Sequence, residues 1–264
     1  MQNLFSPMHK SPLVSVLLSV YNGQDFIAKA IDSILCQTFT DFEFLIINDG
    51  STDLTDSIVK SYQDPRIYYL KKKNTGLTSS LNYGIKLSKG KYIARMDSDD
   101  FSYPKRLELQ VQVIRQNPKI GLVASRARLF DNGHESITPF YTEEQIMQMI
   151  KFQNPIVHSS VMISKELFKS VGFYNEIYQT TQDYDAWIRL SEISKLIILD
   201  QILVGRIISV GSISRKRYIL QAKNSFRIRR GSIPLTKNIY LLIYQVLANM
   251  IPRPWIRIIK KMIT

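Results

Sequence analysis

The sequence predicts an α/β fold, a mostly parallel sheet flanked by helices, followed by a basic helical extension. Three observations predict it. Short β-rich runs alternate with helical patterns through the first half, acidic and Asn-bearing turns follow those runs, and the whole charge imbalance lies in the last quarter. The 264 residues suffice for one large domain, or a domain with an appendage. A hydrophobic fraction of 45% with 22% charged residues is that of a globular chain and excludes general disorder.

Val14-Ser-Val-Leu-Leu-Ser19 reads as the first buried strand. Residues 24–36 follow with helical spacing, Phe26, Ile27, Ala30, Ile31 and Ile34 sharing one side. Phe42 to Ile47 is the second strand, and Asp49-Gly-Ser-Thr-Asp53 turns into a helix with several possible N-caps. Arg66 to Leu70 is a third strand, Leu77 to Leu87 a third helix, and Lys91 to Met96 a fourth strand. Pro104 suits the first turn of a helix running to about Asn117. Ligands bind at the carboxyl ends of parallel strands, which directs attention to Ser19–Asn22, Asn48–Asp53 and Asp97–Asp100.

The second half is less regular. Glu143–Phe152 and Lys165–Val171 read as helices, the latter closed by Gly172, with Val161–Ile163 a short strand between them. Asp183–Ser194 is a helix carrying Trp187 and Leu190, and Leu196 to Ile208 is strand-like. The expected division is one domain over 1–211, in halves over about 12–118 and 119–211. A basic amphipathic helical tail over 212–264 follows, broken near Gly231–Pro234 and Pro252–Pro254.

The net charge of +13 belongs to that tail. Residues 201–264 hold 13 Lys and Arg and no Asp or Glu, which leaves 22 basic and 22 acidic residues in 1–200. A neutral body with a basic end predicts a domain that docks on something anionic. The tail interleaves its charges with Tyr240-Leu-Leu-Ile-Tyr244 and Trp255-Ile-Arg-Ile-Ile-Lys-Lys-Met-Ile263, a pattern for an anionic membrane surface. The alternative is that these helices pack on the domain and show only their charges. The apolar content argues against nucleic acid. The longest apolar run, Ile239 to Ile251, is too short to span a bilayer, and the N-terminus lacks the apolar core of a secretory signal. The single cysteine, Cys36, forms no internal disulfide and is expected as a buried structural thiol in a reducing compartment.

Asp97-Ser-Asp99-Asp100 carries the strongest chemical signal. Three carboxylates within four residues repel one another unless a cation or donors sit among them. Mg2+ or Mn2+ prefers such oxygen ligands and bridges carboxylates to substrate phosphates. A solvated acidic turn before the Pro104 helix is the plain alternative. In Asn48-Asp49-Gly50-Ser51-Thr52-Asp53, Asp49 can accept from a base or ribose and Gly50 lets the backbone approach closely, although helix capping explains the same residues. Three histidines without metal spacing argue against zinc, and His158 fits either a diphosphate or acceptor contact or a structural role. Glu43 reads as a buried ion-pair partner.

The run Val14 to Asn22, then Ala30 to Phe39, then Phe42 to Asp53 resembles the family 2 glycosyltransferases. Asn74-Thr-Gly-Leu77, Ala94-Arg-Met-Asp-Ser-Asp-Asp100, Asn154-Pro-Ile-Val-His158 and Gln182-Asp-Tyr-Asp-Ala-Trp187 continue the resemblance in order, over roughly 12–205. It implies a GT-A fold, an inverting enzyme, a UDP-sugar or related nucleotide-sugar donor and a divalent metal, Mn2+ or Mg2+. On the same ground Ser19, Tyr21 and Asn22 belong to a uracil-facing loop, Asp49 reads the base edge, and Asn74 and Arg95 lie near the ribose or diphosphate. Asp97 and Asp99 form the DXD pair, Asp99 the more direct ligand, with Asp100 supporting the turn. Asp183 resembles the catalytic base, and Trp187 either lines the acceptor side or packs in its helix.

Three departures stand out. Ser19 replaces a proline of many relatives, Asn48 a frequent first aspartate, and Gln182 the glutamate that often precedes the base. The implied reaction moves a single sugar to a saccharide hydroxyl, with a lipid-linked acceptor and a peripheral place on the inner face of the cytoplasmic membrane. Cell-surface polysaccharide synthesis is the implied setting. A non-catalytic nucleotide-sugar-binding or scaffold protein on the same fold is the competing class. A nucleotidyltransferase would need a glycine-rich basic loop that residues 14–25 lack, and a processive synthase would need a Gln-x-x-Arg-Trp motif and spanning helices.

Overall fold

A computed structural model describes residues 11–131, 133–208, 217–230 and 232–250. Its centre is the parallel run of strands β1 (Val14–Val20), β2 (Phe42–Asn48), β3 (Ile67–Lys71) and β4 (Tyr92–Asp97), ordered β3-β2-β1-β4. Every residue of β1 and β2 is buried, as continuous apolar strands covered on both faces must be. The side-chain alternation of β1 separates two cores. Val14, Val16, Leu18 and Val20 face α1 (Ile27–Leu35) and α4 (Arg106–Ile114), while Leu17 faces α3 (Leu77–Leu87) through Leu81 and Ile85. Helix α1 buries Ile27, Ala30, Ile31 and Ile34 on one side, the face its spacing predicts. Truncating one such isoleucine to alanine costs about 2–5 kcal/mol.

Helix α2 (Thr55–Lys60), between β2 and β3, and helix α4, after β4, begin close to the expected positions. Beyond β4 the sheet becomes mixed. Strand β8 (Met162–Ser164) lies antiparallel between β4 and β6 (Ile120–Asp131), and β6 pairs in parallel with β9 (Lys195–Ile207). The sequence reading left residues 120–131 unassigned, because Arg126 and Arg128 interrupt a run whose pairing with β9 is itself irregular near Ser125–Ala127. It also placed Asp100 in a turn. Asp100 instead opens β5 (Asp100–Ser102), which pairs antiparallel with β9, Asp100 opposite Arg206. A hairpin strand β7 (His134–Ile137) lies on β6. Helices α5 (Glu143–Met149), α6 (Lys165–Ser170) and α7 (Gln182–Ser191) complete this half. A Thr142–Gln145 capping box opens α5, and Gly172, at φ 82°, lies just past the end of α6.

Two further helices, Tyr218–Ile228 and Leu235–Met250, carry the described part of the basic tail. They are attached to the domain by buried polar contacts, not only by charge: Arg229 and Asn238 are almost fully buried between them and the domain. Trp255 and the residues around it lie outside the described residues. No helix among the described residues is long and apolar enough to cross a membrane.

Candidate active site

Register places three loops at one edge of the sheet. Val20 pairs with Asn48 and Ser19 with Asp97, so β1, β2 and β4 end side by side. The first two loops are stitched together. Asn22 N donates to Ser51 Oγ at 2.9 Å, Thr52 N to Asn22 Oδ1 at 2.9 Å, and Gly23 N to Thr55 Oγ1 at 2.9 Å. Asn22 takes a left-handed φ of 51°, a conformation asparagine tolerates better than most residues. Ser19 is buried, whereas Tyr21 stands 54% exposed beside these loops, free to meet a flat ligand.

Asp49 closes the third side. Only 3% exposed, its carboxylate accepts from Lys72 Nζ at 2.5 Å, Thr75 N at 2.9 Å and Gly76 N at 2.8 Å. Burial opposes its charge, but the Lys72 ammonium and these amides outweigh it and hold the pKa below the usual carboxylate range. Asp49 therefore ties the β2 end to the 72–76 loop that carries Asn74, which is itself exposed. Gly50 makes the approach possible. At φ 80° it runs 2.8 Å, measured from an added Cβ, from the Asn74 amide.

The acidic cluster lies at the end of β4. One ligand oxygen from each of Asp97, Asp99 and Asp100 falls within 4.8 Å of the others. Arg95, only 2% exposed, pairs through its guanidinium with Asp97, while its Nε and Nη1 find no hydrogen-bond partner among the described residues. Asp97 is consequently held below the ordinary range: burial would raise it, and the Arg95 charge outweighs burial. Its neighbours go the other way. Burial, then the Asp97 charge, pushes Asp99 up to about 6 and Asp100 up to about 7. Asp100 is steadied by Ile207 N at 3.2 Å and by Arg206 Nε at 3.5 Å. Three clustered carboxylates that resist ionising together, with an all-oxygen donor set, fit a hard divalent cation.

Two arginines here escaped the sequence reading. Arg106 is fully buried without a carboxylate partner, donating to Arg95 O, Ser102 Oγ at 2.8 Å and Gln110 Oε1 at 3.2 Å. Its signal was a cation on the inward face of α4 two residues after Pro104. Burial lowers its pKa to about 9, so it stays charged at neutral pH and braces the β4 backbone behind the acidic cluster. Arg206 carried no local signal, since only the β5–β9 pairing brings it to Asp100.

Asp183 sits in the first turn of α7, after Thr181 in a left-handed φ of 64°. Asn154 Nδ2 donates to its Oδ2 at 2.8 Å, joining two segments 29 residues apart. Burial raises the Asp183 pKa, and the Tyr184 amide, the Arg95 charge and Asn154 restrain the rise. The shared field of Arg95 links Asp183 electrostatically to the acidic cluster. Asn154 was visible in the sequence as part of a motif but without a role.

Several expectations are narrowed or corrected. His158 is half-buried, with Nε2 at 2.8 Å from the Tyr174 hydroxyl. Burial, then the Arg95 charge, holds its pKa well below the ordinary imidazole value, which favours the structural of its two expected roles. Trp187 is fully buried and packs edge-on against His158 and Tyr174, in agreement with the packing alternative of its sequence reading. Cys36 is exposed, because it follows the last turn of α1 on the solvent side of Ile34. Glu43 is buried but accepts from Ser15 Oγ at 2.6 Å and Lys89 N at 2.5 Å, neutral donors and no cation.

Comparison with known proteins places this geometry in a family. Residues 15–172 match the model of glycosyl transferase family 2. An uncharacterized glycosyltransferase of Rickettsia typhi is 34% identical over 74% of the chain and 63% of its own length. Chondroitin synthase of Escherichia coli is 29% identical over 86% of the chain and 33% of its own length. The chain thus spans less than two thirds of the length of these curated relatives. Among solved structures, S. aureus TarS 1–349 in complex with UDP-GlcNAc superposes with a TM-score of 0.67 at 17% identity, covering 89% of this chain and 72% of that one. A mannosyltransferase from Pyrobaculum calidifontis in complex with GDP-Man and Mn2+ gives 0.61 at 18% identity, covering 94% and 72%. The structural likenesses show a shared GT-A fold.

Proposed function

The chain belongs to glycosyl transferase family 2, and from that membership we propose that it moves a single sugar from a UDP-sugar to a saccharide hydroxyl with inversion. The observation that carries the reading is an acidic cluster and a separately held carboxylate that share the field of the buried Arg95. Asp97, Asp99 and Asp100 gather at the end of β4, and Asp183 stands apart on α7 with its own hydrogen-bonded partner.

Each site suits one half of a displacement. Asp97 and Asp99 would hold Mn2+ or Mg2+, which supplies charge neutralisation for the departing diphosphate. Arg95, buried and with two free N–H groups, offers further donors for the same negative charge. Ser19, Tyr21, Asn22, Asp49 and Asn74 form the donor loop system, Asp49 keeping its shape and Tyr21 offering an exposed ring for the base. Asp183, its pKa raised by burial, takes the acceptor hydroxyl proton as the sugar carbon is attacked from the opposite face. Asn154 fixes the carboxylate that does so.

The relationship to chondroitin synthase favours a saccharide acceptor and polysaccharide synthesis. The UDP-GlcNAc held by TarS favours UDP, while the GDP-Man held by the archaeal structure makes GDP the nucleotide to test against it. The tail favours work at the inner face of the cytoplasmic membrane on a lipid-linked acceptor. Its described helices expose Leu235, Ile239, Tyr240 and Ile243 in a chain end that carries 13 basic and no acidic residues. Thermal-shift titration with UDP-, GDP- and dTDP-sugars, with and without Mn2+, tests the donor reading. The expected result is stabilisation by UDP-sugars that requires the metal. Stabilisation by none of them, with metal present, rejects it.

A further inference from the structure

The two C-terminal helices do more than cover the domain. Asn224 in helix Tyr218–Ile228 donates its amide to Thr180 O at 3.1 Å and Thr180 Oγ1 at 3.2 Å. Thr180 precedes the left-handed Thr181 that starts α7, three residues before Asp183. Arg229 donates through Nη1 to Phe152 O at 3.1 Å, two residues before Asn154, and Lys237 Nζ sits 4.1 Å over the Phe152 ring. Arg229 is itself fixed, since its Nε donates to Asn238 Oδ1 at 3.0 Å and Asn238 Nδ2 to Phe226 O at 2.9 Å. It is fully buried and pairs with no carboxylate among the described residues. Its charge also acts on the Tyr184 hydroxyl, one residue beyond Asp183.

A fully buried arginine without a counterion is costly to desolvate, and retention of one that only joined two helices would be hard to explain. Its partners give the reason. Both segments joined by the Asn154–Asp183 contact are held, one at Thr180 by Asn224 and the other at Phe152 by Arg229.

We propose that Asn224 and Arg229 are positioning residues for Asp183, so that the C-terminal helices complete the acceptor side of the site. The proposal rests on Asp183 being the base. A carboxylate displaced by about 1 Å from its acceptor loses up to about 100-fold in rate, which is what the brace prevents.

The test uses the full chain and needs no acceptor. The Asp183 carboxyl is titrated by 13C NMR in the natural protein, in Asn224→Leu, which keeps volume and drops both hydrogen bonds, and in Arg229→Gln. Ala222→Gly is the control, weakening the same helix without touching Thr180 or Phe152. The expected result is an Asp183 midpoint displaced by at least about 0.5 unit in both variants and unmoved in the control. UDP binding with Mn2+ should stay within about twofold in all of them, since about 0.4 kcal/mol is the most a distant site should transmit here. Arg229→Lys, which keeps one donor for Phe152, should return the midpoint toward the natural value. An unmoved midpoint in Asn224→Leu overturns the proposal even if Arg229→Gln fails to fold. Should Asp183→Asn retain full transfer, the base assignment falls, whereas the titration still reports whether the helices place Asp183.

Discussion

The amide of Asn154 donates to Asp183 Oδ2 at 2.8 Å and fixes the carboxylate at the start of α7. The Tyr184 amide acts on the same carboxylate, so its orientation is set by the helix start as well as by Asn154. Asp183→Asn removes the proton acceptor while preserving shape, so turnover should fall by about 10²–10⁴-fold with donor affinity unchanged. Asn154→Ala should lower turnover less, by about 10-fold, because the carboxylate survives but loses its orientation. Release of UDP measured beside UDP calorimetry checks both. Near-natural turnover in Asp183→Asn would reject the assignment.

Asp99→Ala should abolish the dependence of donor binding on Mn2+. The residue contributes one of three oxygens that lie within 4.8 Å of each other, and its loss leaves Asp97 already committed to Arg95. Calorimetry of UDP with and without Mn2+ reads the effect directly. A metal-dependent affinity equal to that of the natural protein would place the cation elsewhere.

The same cluster predicts a pH dependence in the metal-free protein. Asp99 and Asp100 are raised from 3.8 to about 6 and about 7, so the folded state holds their protons more tightly than the unfolded chain does. Their contribution to stability is fully present below pH 4 and is lost as pH rises through 6 and 7. Asp97, depressed, loses its contribution only below that window. In EDTA these two carboxylates should therefore lower the melting temperature as pH rises from about 4 to about 7, against the opposite pull of His158, so the difference between the natural protein and Asp99→Asn reads the effect. Saturating Mn2+ should cancel the fall, and Asp99→Asn should reduce it. Identical pH profiles of the natural protein and Asp99→Asn in EDTA would contradict the assignment.

Much of this site was legible before the fold. The strands β1, β2 and β4 read directly from their apolar runs, and the residues that follow them do line one edge, because register in a buried parallel sheet leaves little freedom. The Asp97–Asp100 cluster needed only local spacing. What stayed hidden depends on long-range pairing. Strand β6 carries arginines at positions an apolar pattern would reject, Arg206 meets Asp100 only through β5 and β9, and Asn154 meets Asp183 across 29 residues. Cys36 shows the complementary error, since a helical period tells which side is apolar but not where the helix ends.

The tail should bind anionic vesicles through the face that its described helix exposes. Leu235, Ile239 and Ile243 recur every fourth residue and are 64%, 42% and 53% exposed. Sedimentation with phosphatidylcholine vesicles containing roughly a third phosphatidylglycerol should retain the full chain at low salt and release it as salt is raised. Replacing the three residues by serine should weaken retention without moving UDP affinity. Equal retention on uncharged and anionic vesicles would remove the electrostatic part of the reading.

Gly50→Ala should disturb the donor loops from a distance of one residue. At φ 80° an alanine is strained, and its Cβ would lie 2.8 Å from the Asn74 amide and 3.2 Å from Lys72 O. Both neighbours are backbone atoms of the 72–76 loop that Asp49 grips through Lys72, Thr75 and Gly76, so neither can swing aside as a side chain would. The strain should cost about 1–3 kcal/mol and push the Asn74 loop outward. UDP affinity should fall while the Asp183 titration stays in place, since that carboxylate belongs to α7 and to Asn154. Calorimetry on the folded variant decides the matter, and an unchanged UDP affinity would show that the Asp49–Asn74 loop takes no part in holding the donor.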